Sequence, residues 1–173
     1  MFTRQLSICA PIFIAIYVIQ ESLISQFRLP GGGFSILVIF ALTWSVLSEF
    51  EVAAVIGFGA GFLMDLSQSS AGPFGQWTLI MLLAGYAISY IGYGDDNVHA
   101  NAIGIVFFVV VGNLFVEIAY VASGALLGVS VGSFAQVLIT LIGMSVWALL
   151  VSPIVLPIFT RLHGLIFDSR SAL

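Results

Sequence analysis

The chain has 173 residues, of which 61% are hydrophobic and 7% charged, and its mean hydropathy is +1.19. A soluble domain carries about 25% charged residues, so too few polar side chains are present to coat a water-facing surface, and lipid is the solvent that fits most of the exterior. The net charge is −4, lysine is absent, and the only positive side chains are Arg4, Arg28, Arg161 and Arg170, which argues against nucleic acid and against a polybasic lipid-binding tail.

The apolar runs, separated by short polar or Gly-rich breaks, predict an all-α, polytopic integral membrane protein. It has about six transmembrane helices in a single domain over 1–173. The first span, 7–27, ends at Arg28-Leu29-Pro30 and Gly31 to Gly33. Arg4 ahead of it invites a signal-peptide reading, but Pro11 interrupts the run and Gln20-Glu21-Ser22 offers no small-x-small cleavage site; it reads as a retained span. The second span, 34–48, stops at Glu49-Phe50-Glu51, and the third, 52–66, is followed by a Ser/Gly loop to Pro73. The fourth is 76–93, and the most polar stretch, Gly94 to His99, comes next. The fifth is 101–127, broken at 128–132, and the sixth begins at 133 and reaches 151.

A hydrocarbon core of about 30 Å needs roughly 20 helical residues. The second and third runs, at about 15 residues each, read as short spans or as a tight hairpin that thins the bilayer. A lipid-facing β-barrel would alternate apolar and polar residues; these runs are continuously apolar. Pro153 and Pro157 are expected to bend the tail over 152–167 away or into the interface. Six crossings put Arg4, Arg161 and Arg170 on one side, which the positive-inside rule makes the cytoplasm, with both termini there.

Cys9 is the only cysteine, so no intrachain disulfide forms. In the third run Ala53, Gly57, Gly61 and Asp65 recur every four residues and share one helix face. Small residues there permit close backbone approach. They read either as a partner-docking face whose Asp65 orients a loop or contacts the partner, or as packing within the molecule. Gly57-x-Gly59-x-Gly61 lacks the spacing of a nucleotide loop. In the fifth run Glu117, near mid-span, costs roughly 2.5–3.5 kcal/mol if ionised at that depth. Asn113 and Tyr120 share its face. This trio reads as an ion, proton or ligand site, or as a protonated Glu in an interhelical polar cluster.

Arg28 is expected to pair with Glu21 or Asp65. Asp95, Asp96 and His99 are loop polar residues rather than a metal site, and His163 is expected at the interface. Trp44, Trp77, Tyr90 and Tyr93 fit interface belts and packing. No Ser/His/Asp, Cys/His or paired-carboxylate constellation assembles, so no catalysis and no cofactor are expected.

The stretch Gly57-Phe58-Gly59-Ala60-Gly61-Phe62-Leu63-Met64-Asp65-Leu66, then Gly72 and Gly75, then Leu79 to Tyr86 with Gly85-Tyr86, resembles the MreD family of bacterial rod-shape-determining membrane proteins. Gly57, Gly61, Asp65 and Gly72 occupy that family's motif positions. The resemblance implies a noncatalytic scaffold or regulatory subunit of the cell-elongation machinery in the bacterial cytoplasmic membrane. Its implied partners are an MreC-like membrane protein and, indirectly, the MreB filament, RodA and a penicillin-binding synthase. It also implies the six-helix bundle of the substrate-binding subunits of energy-coupling-factor transporters. A vitamin-transporter subunit of that class is therefore the alternative. It would need a roomy polar pocket near the outer face, and its A-x-x-x-A signature is not met by Ala10 and Ala15. A carrier using Glu117 lacks a second gate residue.

Overall fold

The computed structural model describes residues 2–26, 29–67, 72–92, 101–129 and 132–167. Among them the chain forms six α-helices and no strand: α1 Phe2–Ser22, α2 Ile36–Leu47, α3 Phe50–Asp65, α4 Gln76–Gly92, α5 Ala102–Leu126 and α6 Phe134–Phe167. Short 3-10 turns, Ile24–Gln26 and Pro30–Gly32, join α1 to α2. Three stretches are long and apolar enough to cross a membrane: Pro30–Leu47, Ala102–Leu126 and Phe134–Ile166. Helices α2 to α5 coincide with the second to fifth apolar runs to within two residues at each end.

Helix α2 is the hub. Every residue from Leu37 to Val46 is buried, including Thr43 and Ser45. A helix apolar all round belongs inside a protein core or a membrane, and here the other five helices enclose it. Its 12 residues span about 18 Å. Enclosure by protein removes the need to match a bilayer. Phe13 of α1, Phe40 and Trp44 of α2 and Phe159 of α6 interlock edge-to-face around it, with ring centroids 5.0 Å apart for Phe13–Phe40 and for Phe40–Phe159. Trp44, assigned above to belts or packing, is a core residue.

The exterior is apolar on each of the five helices around α2. Ile14 and Val18 of α1, Phe58 and Phe62 of α3, Leu79 and Leu83 of α4, Phe107 and Phe115 of α5, and Ile142 and Ile154 of α6 are all exposed. In water such surfaces would aggregate; in hydrocarbon they need no cover.

The small-residue stripe of α3 faces α4, which settles its packing. A Cβ on Gly57 would collide with the Met81 carbonyl oxygen, and one on Gly61 would lie 2.6 Å from Thr78 Cα. From the other side, a Cβ on Gly85 would lie 2.6 Å from the Ala53 carbonyl oxygen. The two backbones touch, so the face of Ala53, Gly57 and Gly61 is filled and the partner-docking reading of it is corrected. Gly59, pointing elsewhere, has nothing within 4 Å.

Helix α6 departs from expectation as well. It runs unbroken through Pro153 and Pro157 to Phe167. Both prolines are exposed, while Leu156, Phe159, His163 and Ile166 are buried. Trp44 Nε1 donates to the Phe159 carbonyl at 3.0 Å, and Ser48 Oγ lies 2.9 Å from His163 Nε2. This packing offsets the roughly 3 kcal/mol that a mid-helix proline costs. His163 is therefore an internal residue, not an interfacial one.

Gly61→Leu is expected to destabilise the detergent-solubilised chain by at least about 1–3 kcal/mol through overpacking. Gly59→Leu should leave its thermal unfolding midpoint nearly unchanged. Size-exclusion thermostability of the two variants side by side checks this.

Candidate functional site

Consecutive helices alternate in direction, so the C-terminal ends of α1, α3 and α5 meet the N-terminal ends of α2, α4 and α6. Helix starts leave backbone N–H groups without intrahelical partners. In a dry setting each must be satisfied by the protein itself. Two polar side chains from preceding helices do this.

Gln20, near the end of α1, accepts at Oε1 from Leu37 N at 3.0 Å and from Ser35 Oγ at 2.9 Å. Ser35, the N-cap of α2, accepts in turn from Val38 N at 3.2 Å. Gln20 Nε2 donates to Met64 Sδ of α3 at 3.5 Å. Asp65, the last residue of α3, does the same for α4. Its carboxylate accepts from Trp77 N at 3.1 Å, Thr78 N at 2.9 Å and Thr78 Oγ1 at 2.5 Å. A carboxylate at a helix N-terminus also meets the positive end of the helix dipole. Gln76 Nε2 ties the start of α4 to α5 through Tyr120 O and Ser123 Oγ, both at 2.8 Å.

These ends line a partly open cavity of about 560 Å³, within the range of small-molecule sites. All six chain segments contribute walls: Gln20, the α1–α2 connection with Ser35, Met64, Trp77, the α5 face and the start of α6. The connection is built from glycines. Gly31, Gly32 and Gly33 have φ of 73°, 90° and 74°, a region closed to most side chains. Gly31 rests on the backbone of Gly143 in α6, and Trp147 Nε1 donates to Pro30 O at 3.0 Å.

Asn113, Glu117 and Tyr120, read from the sequence as one face, all line this cavity. Asn113 is 4% exposed and Glu117 9%. Neither makes a hydrogen bond or ion pair among the described residues. The interhelical polar cluster is thus not what the geometry builds; the two groups face open space. Beside them the Tyr120 ring stacks on Trp77, with centroids 4.3 Å apart and planes 21° from parallel. Among the described lining residues none is Lys, Arg or His.

Arg28, Tyr93, Asp95, Asp96 and His99 lie outside the described residues. Of the two carboxylates considered for Arg28, Asp65 accepts from the start of α4 and Glu21 from Ser67 Oγ at 2.7 Å. The described residues contain no group of three metal-ligating side chains.

The sequence reading missed Gln20, Ser35, Gln76 and Met64. A signal existed for two of them. Ser35 directly precedes an apolar run, the usual place of an N-cap, and Gln76 opens another. Gln20 and Met64 carry no local signal, because their partners lie on other helices.

Asp65→Ala leaves two buried N–H groups of α4 without acceptors, an expected cost of about 1–3 kcal/mol each. Hydrogen exchange at Trp77 and Thr78 should accelerate strongly, with Asp65→Asn intermediate. Compared with protein-family models, with curated proteins and with solved structures, the chain matches none.

Proposed function

We propose that this chain is a noncatalytic scaffold and regulatory subunit of the bacterial cell-elongation machinery, resembling the MreD family. In this reading it crosses the cytoplasmic membrane six times, with both termini in the cytoplasm. Its direct partner is an MreC-like membrane protein, and through it the MreB filament, RodA and a penicillin-binding synthase of lateral peptidoglycan synthesis.

The observation that carries the reading is the work done by the residues at the motif positions. Gly57 and Gly61 bring α3 against α4, and Asp65 caps α4. The motif therefore specifies one rigid hairpin rather than a reaction centre. Since α4 fills the small-residue face, docking falls to the outer face of the same hairpin. There Phe58 and Phe62 stack at 6.2 Å, Phe74 meets Phe62 edge-on at 6.1 Å, and Tyr86 and Tyr90 stack at 6.4 Å. Rigid aromatic surfaces of this kind are favoured at protein contacts.

A second reading is a substrate-binding subunit of the energy-coupling-factor class. The cavity of about 560 Å³, with its polar α5 wall, favours it. The five-residue spacing of Ala10 and Ala15 weighs against it.

Co-purification from native membranes separates the two. An MreC-like protein is expected with the wild type, and a clear loss of it with the double variant Phe58→Ala/Phe62→Ala, whose side chains point outward and whose fold should persist. Recovery of a vitamin or of ATPase subunits in its place overturns the scaffold reading.

A further inference from the structure

We propose that the cavity between the helix ends is a binding site for an organic ammonium ion with an apolar body, with the Glu117 carboxylate as its counter-ion. The inference goes beyond the scaffold reading and does not depend on it.

A carboxyl group set nine-tenths inside an apolar bundle is costly unless something answers its charge and its hydrogen-bonding capacity. Nothing in the described protein does so for Glu117. The same is true of Asn113, one turn away on the same face. Both point into a space large enough for a small molecule.

The chemistry of the walls selects the sign of the ligand. The acid is the one charged side chain among the described lining residues, so an anion would meet its repulsion with no compensating cation among them. A cation finds three kinds of complement at once. Glu117 supplies charge. The side-chain oxygen of Asn113 supplies an acceptor for an N–H group. The stacked rings of Trp77 and Tyr120 offer π-density, which attracts ammonium groups. Leu29, Val137 and Leu141, also in the lining, give apolar surface for the rest of the ligand. A bare divalent metal ion fits less well, because the single carboxylate among the described lining residues would leave half of its charge unanswered.

An ammonium group of this kind can belong to a soluble amine or to the headgroup of phosphatidylethanolamine. The full chain reconstituted in nanodiscs of phosphatidylglycerol tests the chemistry, with 2-phenylethylammonium as probe and neutral 2-phenylethanol as its control. Calorimetric titration should show the amine binding, the alcohol at least about tenfold more weakly, and Glu117→Gln losing about tenfold or more of the amine affinity. Asn113→Ala, which keeps the acid, should lose less.

Discs containing phosphatidylethanolamine distinguish the sources. Undiminished probe binding there supports a soluble amine. Suppressed probe binding, with the lipid retained on the released wild type in native mass spectra and absent from Glu117→Gln, supports the headgroup. The proposal is overturned if the wild type and Glu117→Gln treat both probe and lipid alike, or if the alcohol binds as well as the amine. Co-purification of an MreC-like protein is a separate readout, so failure of the site and failure of the scaffold reading are distinguishable.

Discussion

The structure rests on the requirement that a helix end buried in apolar surroundings find its hydrogen-bond partners inside the protein. Helix α2 makes the requirement acute, since every residue from Leu37 to Val46 is buried. Gln20 and Ser35 serve its first turn, and Asp65 does so for α4. Each borrowed cap fixes the height of one helix against the next. The caps therefore set the register of the bundle, while the apolar contacts, which are tolerant of sliding, fill it.

The caps also shape the cavity. Asp65 holds the first turn of α4 in place, and that turn carries Trp77, whose ring lies against Tyr120 on the cavity wall. Gln20 carries out the corresponding role for α2, bridging it to Met64. A polar residue at the end of one helix thus positions an aromatic or sulfur side chain on another. Asn113 and Glu117, on the wall of the same cavity, take no part in the capping.

The helices were legible because their apolar runs are long and the breaks between them are strongly polar or glycine-rich. The joint position of Asn113, Glu117 and Tyr120 was legible too, since helical periodicity puts them on one face. Where the reading erred, the reason was tertiary. A four-residue repeat of small side chains says that some backbone comes close, but not whether it belongs to the same chain; α4 supplies it, the packing alternative of the two readings. Proline spacing predicted a tail that leaves the bundle, but the grip of Trp44 and Ser48 on Phe159 and His163 holds it there, and α6 continues as one helix. The caps from Gln20 and Asp65 reach across sequence distances that no local pattern encodes.

Helix lengths differ systematically around the bundle. Helices α3 and α4 have 16 and 17 residues, about 24–26 Å, whereas α5 and α6 have 25 and 34, about 38 and 51 Å. In a bilayer such a body is a wedge. Lipid tails beside α3 and α4 must compress to meet their short apolar flank, and those beside α5 and α6 need not. A neighbouring protein with an equally short apolar flank would relieve that elastic stress by settling against α3 and α4, so the membrane itself would bias which side of the molecule becomes crowded.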